Sequence, residues 1–348
     1  MVAVHASASV PPPSSANSAP LRLCIIDMNN GWPNQAIRCF HRVVDQFVAR
    51  VRSANPNLET IVVQVQPRNL GEAPPDNCDL YLSTGGPGSP YDGYDEHWST
   101  LYRKFLDTLV DDYACTGDCA RSVFLVCHSF ELAVMHFGVA TMAEMPRRKF
   151  GIQPVYMTPA GMRSPLLAPF GDRLFAWENR GWHAVDLNQR RLDELKGELW
   201  ARESRESLMD KGRAKSAFLF APGVEGVQFH PEADHNGAAA WLRPPDKARA
   251  AIEAFGELTY TRMLRTLDMP DRLARTFVQL IPGWLTRKFN ARTELHGWNP
   301  LPVPTFDRAS ALAAFGAISS SRSRPPEPAP NASVPVIIPP PAKEPSCL

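Results

Sequence analysis

Short apolar runs alternate along the first half of the chain with longer stretches in which apolar residues recur every three or four positions. Residues 21–27 form a run of strand length. Asn29, Asn30, Gly31 and Pro33 then make a turn cluster. Ile37, Phe40, Val43, Val44, Phe47, Val48 and Val51 mark one face of a helix over 34–53. Residues 60–65 give a second, β-branched strand. Residues 78–83 give a third, ending in Thr84-Gly85-Gly86-Pro87-Gly88-Ser89-Pro90. A helix over 96–109 precedes a fourth strand, 122–126, which runs straight into Cys127, and helical character returns over 130–145. This alternation predicts an α/β fold with a mostly parallel sheet flanked by helices. Such sheets bind ligands beyond the carboxyl ends of their strands. The glycine-rich loop and Cys127 both lie at such ends, so they belong to one rim.

Past Lys149 the pattern is weaker. β-Like pieces occur near 151–156, 175–178, 182–186 and 217–221, with a charged stretch over 190–211 that reads as a solvated helix or loop. Gly226-Val227-Gln228-Phe229-His230-Pro231-Glu232 follows. Residues 246–267 have the composition of an amphipathic helix, and 272–280 read as another, stopped by Pro282-Gly283. These make a C-terminal helical extension over 241–306. It reads either as a buttress on the sheet or as a docking surface around Trp284 and Leu285.

Charge and composition narrow the picture. The 37 basic and 36 acidic residues leave a net charge of +1, which points away from a general nucleic-acid surface. No apolar run approaches the roughly 18 residues of a membrane span. Thirteen of the 34 prolines fall within residues 1–20 and 319–348. Residues 1–20 hold four of them, five serines and no Asp, Glu, Lys or Arg, and read as a disordered leader rather than a secretory signal. Residues 307–348 read as a proline-rich, mostly disordered tail. A domain over 21–240 and the extension lie between. Seven scattered cysteines without a secretory signal suggest free thiols in the cytoplasm. Cys115 and Cys119 lack a second Cys/His pair at zinc spacing, so no metal or organic cofactor is expected.

Three segments carry candidate chemistry. A cysteine at a strand-to-helix turn sits at a helix N-terminus, where the partial positive charge favours a nucleophilic thiolate. The alternative for Cys127 is a buried structural cysteine. Pro231 ends a strand between His230 and Glu232, so both side chains can face one site, with Glu232 orienting the imidazole. The alternative is a surface turn. The glycines at 85, 86 and 88 allow close backbone approach to a ligand and amide donation to an oxyanion. No Gly-Lys-Ser/Thr follows to mark a phosphate loop, and a plain tight turn is the alternative.

Taken in order, Ser83-Thr84-Gly85-Gly86-Pro87-Gly88-Ser89-Pro90, Phe124-Leu125-Val126-Cys127-His128 and Gly226–Glu232 resemble the class I glutamine amidotransferase family. The resemblance spans about residues 21–240. Asp27-Met28-Asn29-Asn30-Gly31 and Cys127-His128-Ser129-Phe130 bring it nearest to stand-alone members similar to the amidotransferase part of GMP synthase. It implies a flavodoxin-like sheet and a Cys127-His230-Glu232 triad. Backbone amides at Gly86 and His128 would form an oxyanion hole, and Gly85 and Glu131 would line the substrate. Glutamine or a related amide would be hydrolysed through a γ-glutamyl thioester, with ammonia passed to a separate synthetase partner. The family elbow reads Gly-x-Cys-x-Gly-x-Gln, whereas this chain has Leu125, Ser129 and Glu131 at the three flanking places. Ser129 is expected to narrow the pocket, and the Glu131 carboxylate to repel a substrate carboxylate or pair with its ammonium. Two other functions stay open: a homoserine acyltransferase-like enzyme with the same Cys-His-Glu set, and a non-catalytic binding or regulatory protein on the same fold.

Overall fold

The structure is a computed structural model that describes residues 19–32, 35–204, 213–269 and 271–309. The expected leader and tail lie outside these residues except at their inner edges. In chain order the elements begin with β1 (Leu21–Ile26), α1 (Gln35–Ala54), β2 (Thr60–Val65), α2 (Pro67–Leu70), β3 (Leu80–Ser83), α3 (His97–Thr116), β4 (Ser122–Val126) and α4 (His128–Phe137). There follow β5 (Thr141–Met157), α5 (Pro159–Arg163), β6 (Arg173–Val185), α6 (Gln189–Glu194), β7 (Glu198–Arg202), β8 (Lys215–Ala221) and β9 (Val224–Val227). Helices α7 (His235–Leu242), α8 (Pro245–Phe255), α9 (Glu257–Leu267), α10 (Leu273–Asn290) and α11 (Thr293–His296) complete the described chain. None of the described helices is long and apolar enough to cross a membrane.

All nine strands join one sheet in the order β2-β1-β3-β4-β9-β8-β7-β5-β6. The first five are parallel to one another, and β3, β4 and β9 are buried at every residue. Burial on both faces explains the near-continuous apolar sequences of β3 and β4, whereas β9 buries Glu225 against Lys288 of α10 at 2.8 Å. Beyond β9 the pairing turns antiparallel, through β8, β7, β5 and β6. The sheet is therefore mixed, which corrects the expectation of a mostly parallel one. The cause is local: only Pro222 and Gly223 separate β8 from β9, and so short a link joins antiparallel strands alone. Gly223 takes φ +84°, which a side chain would resist.

Other boundaries differ from the expected ones. The helix after Cys127 ends at Phe137, because Gly138 adopts the left-handed conformation and its N–H bonds to the Val134 carbonyl at 3.0 Å. The rest of the stretch thought helical is the start of β5. The pieces near 175–178 and 182–186 are one strand, β6. Gly256, at φ +83°, splits the amphipathic stretch into α8 and α9. Helix α10 continues through Pro282, where the missing N–H was expected to stop it. Burial of Ile281, Trp284, Leu285 and Phe289 on this helix outweighs that loss.

Residues up to Arg308 form one compact unit. Trp284 packs on Phe124 of β4, with ring centroids 5.5 Å apart, and Phe289 packs on Phe47 of α1 at 6.1 Å. Trp284 and Leu285 are 0% exposed, so they hold the sheet and cannot present a docking surface.

Candidate active site

Strand β4 delivers Cys127 at the centre of the rim. The chain must pass from strand to helix within one residue, and Cys127 takes φ 51° and ψ −106° to do so. A residue with a Cβ rarely adopts this region, at a cost of about 1–3 kcal/mol. The surroundings enforce it. The Cys127 N–H donates to the Val227 carbonyl at 2.9 Å, and its carbonyl accepts from the Glu131 N–H at 2.9 Å to open α4. The next amide, of His128, lies in the first turn of α4, where no intrahelical acceptor exists.

Strand β9 runs beside β4 and carries the chain to His230. The His230 N–H donates to the Trp177 carbonyl of β6 at 2.8 Å, and Pro231 has no N–H with which to extend the pairing. The imidazole Nδ1 lies 2.8 Å from Oε1 of buried Glu232. Burial lowers the affinity of this ring for a second proton. The Glu232 carboxylate and the hydrogen-bonded Cys127 sulfur overcome that, and hold its pKa well above the ordinary value.

The glycine loop closes over both groups. A Cβ on Gly85 would stand 3.0 Å from Cε1 of His230 and 3.2 Å from Cβ of Cys127. A Cβ on Gly86 would stand 2.2 Å from the Met28 carbonyl oxygen, an impossible approach. Both glycines are thus explained by what surrounds them. Ser129 does not narrow a pocket, as had been expected of it. It is fully buried, and its hydroxyl donates to the Thr84 carbonyl at 2.6 Å and bonds Ser83 Oγ at 2.7 Å. Ser83 in turn bonds the Tyr102 hydroxyl at 2.9 Å, so the elbow and the glycine loop are tied together. Burial lifts the Tyr102 pKa to about 12, which keeps its proton available to this network.

Glu131 is only 3% exposed. One oxygen accepts from Gln228 Nε2 at 3.2 Å, and the other lies 3.7 Å from Nδ1 of His128. The same Gln228 nitrogen donates to the Trp182 carbonyl at 3.0 Å. The His128 ring is wholly buried, which pushes its pKa down, and Glu131 only partly offsets this. His128 is therefore an enclosed imidazole.

Sequence reasoning overlooked three contributors. Arg68 of α2 donates to the Met28 carbonyl at 3.1 Å and to the Pro87 carbonyl at 2.8 Å, bracing the glycine loop from outside. No motif surrounds it, so nothing in the sequence flagged it. Gln228 lay inside a quoted motif, but its role as a clamp on Glu131 was not legible there. Trp177 acts through its backbone, which no residue pattern reveals. Beyond these, Arg180 bonds Glu178 at 2.8 Å, and Lys149 bridges Glu178 and Glu203 at 3.3 and 3.1 Å. Burial works against the Glu178 carboxylate, but Arg180 and Lys149 hold its pKa below the usual range. Among the described residues no three His, Cys, Asp or Glu side chains converge to hold a metal ion.

No protein-family model and no curated protein matches the chain. Solved structures align with it at low sequence identity. A glutamine amidotransferase from Thermotoga maritima aligns over 80% of this chain and 98% of its own, at 12% identity and a TM-score of 0.49. The glutaminase domain of Trypanosoma brucei CTPS, with bound acivicin, aligns over 67% of this chain and 94% of its own, at 15% identity and a TM-score of 0.40.

Proposed function

We propose that this protein hydrolyses a side-chain amide, with glutamine as substrate, and releases ammonia for a separate acceptor enzyme. The observation that carries the reading is Cys127, held at positive φ beside an imidazole that is keyed by Glu232. A strained residue at the mouth of a parallel sheet needs a reason, and exposing a nucleophile is one.

The Cys127 sulfur attacks the amide carbon. The carbonyl oxygen becomes an oxyanion, stabilised by the backbone N–H groups of Gly86 and His128. His230, protonated and oriented by Glu232, passes its proton to the nitrogen as the C–N bond breaks, and ammonia leaves. Water then gives a proton to His230 and attacks the thioester. The C–S bond breaks, the Cys127 thiolate is restored beside protonated His230, and glutamate leaves as its carboxyl proton passes to the released ammonia to give ammonium. Glu131, clamped by Gln228, offers a fixed negative charge to the substrate ammonium. The cytoplasm is the compartment that suits free thiols.

The test is ammonia and glutamate release from glutamine by the purified protein, alone and with cell lysate to supply an acceptor. The proposal expects release that iodoacetamide abolishes. Absence of release under both conditions, from folded protein, contradicts it. Acyl-CoA turnover with homoserine would then favour the acyltransferase alternative, and ligand binding without turnover the regulatory one.

A further inference from the structure

We infer that the cleft between the start of β6 and the first turn of α10 is a binding site for a small phosphate-bearing ligand. The cleft encloses about 270 Å³, near the lower end for small-molecule pockets. Three arginines line it: Arg173, Arg272 and Arg275. Each guanidinium lies over an aromatic ring. Arg272 is 3.7 Å from the Phe175 centroid, Arg173 is 6.0 Å from the same ring, and Arg275 is 5.6 Å from that of Phe170. Stacking of this kind fixes the plane of a guanidinium, and the N–H edges of Arg173 and Arg272 are then suited to phosphate oxygens, while Arg275 gives its Nε to Gln279 and one Nη to the Pro169 carbonyl and adds its charge.

Helix electrostatics point the same way. Arg272 caps α10 and Arg275 stands in its first turn, where the partial positive charge of the helix disfavours cations. Carboxylates would be the stabilising choice there. Asp172 and Asp271 also line the cleft and leave one positive charge in excess. The Arg272 Nε is shut from solvent and has no hydrogen-bond partner. A phosphate at this place answers the repulsion. The site is separate from Cys127, yet Thr276 of α10 donates to the Phe175 carbonyl at 2.7 Å, two residues before the Trp177 that holds His230.

Isothermal titration of the full chain with inorganic phosphate, and separately with phenyl phosphate, tests the site, with chloride at matched ionic strength as the control. Saturable binding is expected, weakened about tenfold or more by Arg272→Gln, which deletes charged hydrogen bonds. The exposed Arg173→Gln should weaken it in a protein whose fold is undisturbed, and Cys127→Ala should leave it unchanged. Tighter phenyl phosphate would identify an organic ester as the source, and equal affinity free phosphate. Failure to saturate, binding that survives both arginine substitutions, or binding lost in Cys127→Ala would overturn the inference. None of these outcomes depends on amide hydrolysis.

Discussion

The two halves of the sheet are built on different physics. From β2 to β9 the strands are parallel, and β3, β4 and β9 are buried at every residue. From β8 to β6 they are antiparallel, and β5 and β6 carry the Lys149, Glu178 and Arg180 ion cluster with Glu203 beside it. The candidate nucleophile, Cys127, comes from the parallel half, at a strained turn off β4. The candidate base stands at the seam, its backbone bonded to β6 of the other half. The parallel half thus supplies rigidity and strain, and the antiparallel half supplies alignment.

Breaking the charged half should have the largest effect on stability. Arg180→Met leaves Glu178 buried without its main partner and should cost about 3–5 kcal/mol in urea denaturation, with part recovered in the Arg180→Met/Glu178→Leu double variant. A loss under 1 kcal/mol would mean that the cluster holds little. Breaking the parallel half should instead strike the chemistry. Gly86→Ala forces a methyl group against the Met28 carbonyl and moves the proposed oxyanion donor, so ammonia release should fall by about 10²–10³-fold. Unchanged turnover would remove Gly86 from the site.

The seam has its own signature. The His230 pKa is raised in the folded protein, so its stabilising contribution is complete below the unfolded value of about 6.5 and is lost as pH rises through the folded value. Glu232→Gln removes the nearest favourable charge. The His230 titration followed by NMR should move down, and the stability gap to wild type should close on the alkaline side. A titration that does not move would contradict the pairing. The smallest effect is expected from Ser129→Ala, which cuts the tie between elbow and glycine loop at a cost of about 1 kcal/mol by thermal or urea denaturation. A larger loss of turnover than of stability would show that the tie also positions Cys127.

The same contrast governs what could be read in the sequence. β2 and β4 coincide with the apolar runs expected at 60–65 and 122–126, β4 because a strand buried on both faces has a continuous apolar signal, and β2, a half-exposed edge strand, because its residues are mostly β-branched. The antiparallel half showed its strands only as fragments, and β7 not at all. β5 carries Arg147, Arg148 and Lys149, and β6 carries Glu178 and Arg180, charges whose pairing is visible only in three dimensions. Pro282 misled for a related reason, since its helix is held by tertiary burial rather than by propensity. At the candidate site, Cys127, His230 and Glu232 and both glycines were legible as motifs. Arg68, Trp177 and the inward turn of Ser129 were not, because each acts through a backbone carbonyl or a neighbour distant in sequence.

The central claim is that Cys127 and His230 act as one unit in amide hydrolysis. Single-turnover release of ammonia from glutamine, measured side by side for wild type, Cys127→Ala and His230→Asn, tests it most directly. The account predicts that both substitutions abolish release to a similar degree, as expected when two groups serve the same step. Release by wild type that survives in Cys127→Ala would contradict it.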